Sequence, residues 1–376
     1  MRSSGSPRTP RHKQRHQQRH KPRERGAAII TALLVMALSA ILVSGILWRE
    51  QVQVRRIENQ RLIGQAQWVA RGALDLTRLV LHAEADTLPS VTYLGGLWST
   101  PVARTRLSHF IGETGGDEDA MAGSTWLTGT VEDAQSRFNL RSLVANPSPG
   151  VLEVNVTQLQ AFQRLLQLLG LDGKLASKTA LYVRAGLSHS ATRFENAGTT
   201  SASSTSATSS QPQEDGANVT DNPGLDDDDD ADSKVASLLM TDTDALLDIP
   251  GFTPAAVARL RPFITVLPNA TPVNMNTASA EVLSAIVPEM TLAKAQAFVA
   301  RRQTVFFRNM SDVSLALAAA DVEGVTLDSS LYDVNTSYFL VHGGVQHDRA
   351  EVDRTTLVWR DPLTHATRVV RVQDQL

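Results

Sequence analysis

The chain has 376 residues, and its 36 Lys and Arg against 39 Asp and Glu leave a net charge of −3. It holds no Cys, which excludes disulfides, thiolate zinc sites and cysteine nucleophiles. The charge is split: nine basic and one acidic residue precede position 27, so 27 basic and 38 acidic residues follow it, and that acidic bulk is a poor partner for nucleic acid.

Residues 1–26 form a basic leader. Residues 27–48 are uncharged, a run of about 22 residues that at ~1.5 Å per residue spans about 33 Å, enough for a hydrocarbon core of about 30 Å. A cleaved secretory signal has a shorter apolar region and a small-residue site at its far end, whereas this run exits into Trp48-Arg49-Glu50-Gln51. Two readings remain, a plain single-pass anchor and a segment cut on the cytoplasmic face. Gly26, at the junction of basic leader and apolar run, resembles the cleavage position of a type IV prepilin signal, which would leave Ala27 as the mature N-terminus. In both readings the Lys and Arg excess keeps residues 1–25 in the cytoplasm.

Residues 49–85 continue as an amphipathic helix, with Val52, Ile57, Ile63, Val69, Ala73, Leu76 and Val80 on an approximate apolar stripe. Half of this long helix is then a membrane span and half the spine of a globular domain. Residues 86–150 read as irregular chain followed by β structure: a strand over 126–131, a turn at Glu132-Asp133-Ala134 and a returning strand over 137–140. A helix carrying Leu159, Phe162, Leu165, Leu166 and Leu169 on one face ends at Gly170, and residues 175–187 predict another. Residues 188–234 are rich in Ser, Thr and Asp and are expected to be disordered, because they bury too little apolar surface to offset the entropy of ordering.

Two helix-hairpin-helix-like units follow. The first turns at Ile249-Pro250-Gly251-Phe252, with Thr253 as N-cap and Pro254 in the first helical position. The second runs from Asn276-Thr277-Ala278 through a turn at residues 287–291 and a helix over 292–302. The tail alternates as strands over 338–341, 351–359 and 366–372. The predicted fold is α+β: a pilin-like long N-terminal helix packed on an antiparallel β-sheet, with a large inserted helical domain. The boundaries are 1–26 leader, 27–48 transmembrane half-helix, 49–85 amphipathic half-helix, 86–150 first β region, 151–335 inserted domain and 336–376 second β region.

The whole pattern resembles the type II secretion minor pseudopilin K family. The residues that carry the resemblance are Gly26 and Ala27, then Gly129-Thr130-Val131-Glu132-Asp133 with Arg137-Phe138-Asn139-Leu140, then Thr271-Pro272-Val273-Asn274-Met275-Asn276-Thr277-Ala278. The fifth position after cleavage, Glu in most pilins, is Thr31 here, and the K family is similar in lacking that Glu. The resemblance implies a single-pass inner-membrane protein with a cytoplasmic leader and a periplasmic bulk, processed and methylated by prepilin peptidase. It implies a tip subunit of the pseudopilus that supports export of folded proteins. Its implied partners are the I and J minor pseudopilins, the major pseudopilin, the outer-membrane secretin and exported proteins.

Relatives carry an acidic, Trp-containing motif that contributes to calcium binding, whereas the corresponding stretch here is Leu181-Tyr182-Val183-Arg184-Ala185-Gly186-Leu187. Asp226, Asp227 and Asp228 supply oxygens for calcium, which takes six to eight, but the run lacks a Gly turn and a distant bidentate Glu, and reads better as a solvated acidic loop. A rival function, a membrane-anchored DNA-binding or uptake protein, would use the hairpins as phosphate sites with Arg259, Arg261, Arg301 and Arg302. Gly251 is the one hairpin glycine and Glu289 stands in the second phosphate approach, so packing units are the expectation and nucleic acid is not. No Gly-x-Ser-x-Gly, phosphate loop or His-Glu-x-x-His occurs, so no catalytic residues are assigned and the protein is not expected to be an enzyme.

Overall fold

The computed structural model describes residues 25–111, 123–148, 151–199, 238–322 and 324–375. The chain divides into two compact units, residues 1–61 and 62–376. Helix α1, Arg25–Thr87, is 63 residues long and contributes to both.

In the first unit every large apolar side chain of α1 from Ile29 to Trp48 is exposed. A stripe needs one buried face; here the apolar surface runs all round the helix, which suits a lipid solvent. Among the described residues this is the one helix long and apolar enough to cross a membrane, and it fits a single anchor.

In the second unit α1 packs on a sheet of five antiparallel strands. These are β1 (Val102–Arg106), β2 (Thr125–Asp133), β9 (Tyr338–His347), β10 (Ala350–Arg360) and β11 (Thr367–Gln375), in spatial order β1-β2-β9-β10-β11. Alternate residues face the helix. Leu127, Val345 and Val352 form one cluster with Ala66 and Ala70, and Phe339, Val341 and Val358 form another with Leu81 and Trp98. The helix meets the sheet along Ala66, Ala70 and Leu81, whereas the expected stripe members Ile57 and Leu76 are exposed. Alanines bring the helix backbone close to the strands at Ala66 and Ala70, and Leu81 fills the wider end of the seam.

The sheet is interrupted between β2 and β9 by an inserted helical domain. Its helices are α3 (Val156–Leu168), α4 (Leu175–Thr199), α5 (Pro254–Leu260), α6 (Ala280–Ile286), α7 (Leu292–Thr304) and α8 (Met310–Ala318), numbered after a short α2 (Ser108–Ile111). The N-caps Asn155, Thr253, Ser279, Thr291 and Asn309 each accept a backbone N–H three residues on. Helix α3 ends as Gly170 predicts: Gly170 has φ +68°, its N–H reaches Gln167 O, and the Leu171 N–H reaches Leu166 O. Phe138, Phe162, Leu165, Leu166, Leu260 and Phe298 are buried in one continuous core.

Three expectations change. The strand expected to return over 137–140 does not pair with β2. After β2 the Asp133 side chain caps a 3-10 turn, Ala134–Ser136, which diverts the chain so that β3 (Phe138–Asn139) pairs in parallel with β6 (Ile264–Thr265), beyond an antiparallel pair of β4 (Val144–Ser148) and β5 (Val151–Val154). The partners of β2 are β1, which falls in chain expected to be irregular, and β9, more than 200 residues away. Helix α4 runs on to Thr199, past the expected start of the disordered stretch at 188. In the helix-hairpin-helix-like units, the first limb of the first unit is a 3-10 helix, Thr243–Asp248, and the second unit opens at Ser279 rather than Asn276.

The two hairpins solve one backbone problem differently. Gly251 has φ +109° and a Cβ there would lie 2.8 Å from Leu175 Cδ2, whereas Glu289 holds φ 59° with a side chain in place. Gly251→Ala is expected to destabilise by more than about 1 kcal/mol, and Glu289→Gly to be neutral or stabilising by up to ~1 kcal/mol. Urea midpoints of the two variants check both signs.

Candidate functional site

The sequence marks the start of α1 as the processing region, and the helix contains it. Gly26 and Ala27 lie in the first turn after Arg25. Thr31 is exposed and its hydroxyl donates to Ala28 O at 3.0 Å, a bond within its own helix. Where most pilins carry a carboxylate, this position therefore presents a hydroxyl already engaged. Asp226, Asp227 and Asp228, the calcium candidates, lie outside the described residues.

The arginines weighed as phosphate ligands are dispersed. Arg302 is buried and donates to Met275 O at 2.9 Å, Arg259 donates to Leu169 O at 2.9 Å, and Arg261 pairs with Asp244. These three serve the fold.

The densest polar constellation is one that sequence reasoning took for a turn. Asp133 ends β2 and is 3% exposed. Its Oδ1 accepts from the Gln135 N–H at 2.8 Å. Its Oδ2 accepts from Asn274 Nδ2 at 2.8 Å, Thr277 Oγ1 at 2.6 Å and Thr336 Oγ1 at 2.7 Å. Asn274 stands in β7 (Val273–Asn274), which pairs with β8 (Tyr332–Asp333), and its Nδ2 also reaches Thr92 O at 3.1 Å. Asn276 extends the network, donating to Phe307 O at 2.8 Å and accepting from Phe307 N at 2.9 Å. From the sheet side, buried Arg360 donates to Leu81 O at 3.2 Å, Thr92 Oγ1 at 2.9 Å and Thr336 O at 2.9 Å. Gln135 closes the ring, bonding Pro272 O at 3.1 Å and receiving Ser337 N–H at 2.7 Å.

Burial pushes the Asp133 carboxyl above its ordinary range, opposed by hydrogen bonds from Thr277, Thr336, Gln135 and Asn274. Burial likewise pulls Arg302 down to about 10, and lowers Arg360, each opposed by the charge of Asp133. The carboxylate oxygens are thus committed to structural donors, an arrangement that holds chain segments together and offers no free base. It joins the end of α1, the end of β2 and both sides of the inserted domain. The signal was present in the sequence: Gly129-Thr130-Val131-Glu132-Asp133 and Asn274-Met275-Asn276-Thr277 meet here, but nothing in their spacing says that they touch.

Asp133→Ala is expected to destabilise the protein by about 1–3 kcal/mol or more, since it leaves the buried donors of Gln135, Asn274, Thr277 and Thr336 without their shared acceptor. The pH dependence has a definite sign. The unfolded chain titrates this carboxyl near 3.8 and the fold raises it, so the folded state binds the proton more tightly. Its contribution is therefore most favourable below pH 3.8 and declines as pH rises through the folded value. A wild-type-minus-Asp133→Asn stability curve from urea titrations should fall over that window.

Comparison with known proteins agrees with this architecture. Residues 136–269 and residues 273–335 each match the family described as Type II secretion system (T2SS), protein K. The type II secretion system protein K of Pseudomonas aeruginosa is 27% identical over 340 residues, covering 89% of this chain and 88% of that protein. Its counterpart in Pectobacterium carotovorum is 28% identical over 291 residues, covering 74% of this chain and 75% of that protein. A chain in the crystal structure of the GspK-GspI-GspJ complex from enterotoxigenic Escherichia coli superimposes with a TM-score of 0.58 at 16% identity, over 85% of this chain and 99% of that one. The two matched segments cover more than half of the chain, and the protein belongs to the type II secretion system protein K family.

Proposed function

We propose that the protein is a minor pseudopilin that sits at the tip of the type II secretion pseudopilus and supports export of folded proteins across the outer membrane. The observation that carries this reading is α1: an apolar half with no buried face continues, in the same helix, into a half packed on a sheet. Before assembly the apolar half holds the subunit in the inner membrane, with the leader cytoplasmic and residues 62–376 periplasmic. Prepilin peptidase cuts after Gly26 and methylates Ala27. In the filament the α1 helices of neighbouring subunits replace lipid as the apolar surroundings.

Thr31 supports the tip position. A carboxylate at this place in other pilins pairs with the N-terminal amine of a neighbouring subunit, whereas the Thr31 hydroxyl is neutral and bonded to its own helix. A subunit without that charge has no electrostatic reason to seat beneath another and is suited to come first. The inserted domain is bulk that an internal subunit would have to accommodate and a terminal one need not. The solved relative was crystallised with GspI and GspJ, which supports the corresponding I and J pseudopilins as the neighbours of this chain.

The N-terminal mass of the membrane-extracted protein tests the proposal. A chain beginning at methylated Ala27 is expected, and Gly26→Val should retain the full leader; a shortened Gly26→Val chain or an intact wild-type leader overturns the prepilin reading. Leu34→Arg puts a charge in the middle of the span and is expected to cost about 2.5–3.5 kcal/mol of insertion free energy. A glycosylation-reporter insertion assay measures it.

A further inference from the structure

Between α1 and the sheet the two apolar clusters do not meet. Across the inner face of the sheet the register places one row of residues between them: Val102, Gly129, Gly343, Arg354 and Asp374, on β1, β2, β9, β10 and β11 in turn. The row above, Leu127-Val345-Val352, and the row below, Val131-Val341-Thr356, both project side chains toward the helix. The middle row has none at its two central positions. On the facing wall of α1 the small residues Ala70, Gly72 and Ala73 stand among Val69, Leu76 and Val80.

The consequence is a cavity of about 710 Å³, floored by the sheet and walled by α1 and by the segment carrying Trp98, Leu107 and Phe110. That volume lies in the usual range for small-molecule sites, about 300–1,000 Å³. Crowding does not force the glycines: a Cβ on Gly343 would meet nothing within 4 Å, and one on Gly129 would make ordinary contacts at 3.6 Å and beyond. Glycines inside strands weaken a sheet, and they recur where another molecule approaches the backbone closely.

The chemistry of the walls selects the occupant. The floor amides and carbonyls are consumed in the β2–β9 and β9–β10 ladders, so an entering peptide would find no backbone partners there. An aliphatic chain has no polar groups to satisfy. The row holds one cation: Arg354 lines the cavity and gives Nε and one Nη to Asp374, the last of the row, at 2.6 and 3.3 Å, while its other Nη group makes no hydrogen bond to a described residue. Leu76, Leu97 and Phe110 line the cavity and are partly open to solvent, which leaves an apolar way in. The geometry points to this cavity as a binding site for a long-chain carboxylate, its aliphatic tail between α1 and the Gly129–Gly343 pair and its anionic head on Arg354.

The test uses the full chain in phosphatidylcholine nanodiscs and three probes with the same diazirine-bearing chain: palmitic acid, the matching alcohol, and a phosphatidylcholine. After irradiation, mass spectrometry locates the labelled peptides. The acid is expected to label the α1 segment around Ala73 and the segment around Trp98, and unlabelled palmitate to compete. The alcohol should label there about tenfold less, the effect of losing one charge-assisted hydrogen bond. Phosphatidylcholine should label only residues 27–48. Gly343→Leu and Ala73→Leu fill the cavity from opposite walls, and each should abolish the cavity label, so a folding defect in one is not mistaken for a filled site. Arg354→Gln should equalise acid and alcohol. Label confined to residues 27–48, cavity label that survives both filling variants, or equal cavity labelling by all three probes overturns the proposal.

Discussion

Taking a carboxylate out of water costs several kcal/mol, and Asp133 is almost fully out of water. The protein offsets part of that cost with four donors and the nearby charges of Arg302 and Arg360. Each donor comes from a different place in the chain: a 3-10 turn two residues on, a strand and a loop about 140 residues on, and the exit of the insertion about 200 residues on. The requirement to satisfy one carboxylate therefore dictates where the inserted domain leaves and rejoins the sheet. Hydrophobic burial holds each half together, but it is non-directional and could be satisfied in many relative poses. Hydrogen bonds with fixed angles at Asp133 choose one.

The sequence was most legible where a pattern is local. The apolar run, the tail strands, the Gly170 stop and the Thr253 cap each involve residues within a few positions of one another, and each is found as expected. The failures are non-local. Residues 137–140 look like a returning strand because β-forming residues follow a turn, but the strand beside β2 comes from the far end of the chain. The family-like stretches around Asp133 and Asn274 could be marked as notable, yet their contact is a tertiary fact. The empty row across the sheet was equally hidden: Gly129 and Gly343 are unremarkable alone, and acquire meaning only in register.

Helix α1 also shows why composition by itself misplaces a contact face. Ile57, Trp68, Leu76 and Leu79 are large and exposed, while the buried contact runs through Ala66 and Ala70. Burial area favours the larger residues, about 25 cal/mol per Å². A close helix-to-sheet approach favours the smaller ones, and it prevails at Ala66 and Ala70, whereas Leu81 is buried where its cluster holds Trp98 and Phe339. The large residues left outside are surface that an assembled filament could cover.

The end of α1 is fastened by the last turn of the chain. Arg78 donates to Thr367 O at 2.6 Å, a ring nitrogen of His82 lies 2.8 Å from His365 O, and His365 lies 2.7 Å from Asp86. These contacts join positions separated by about 280 residues, and β9 to β11 supply three of the five strands under the helix. During synthesis, then, α1 emerges first and waits more than 200 residues for β9, β10 and β11. The inserted domain, whose core closes with Tyr332 and Val334, is complete as β9 begins at Tyr338. Loop-closure entropy makes the long-range pairing the slow step, so the inner stripe of α1 spends the interval uncovered. A fragment ending before β9 would leave the helix with two of the five strands it packs on, so the stability of this half of the fold rests on the C-terminal strands.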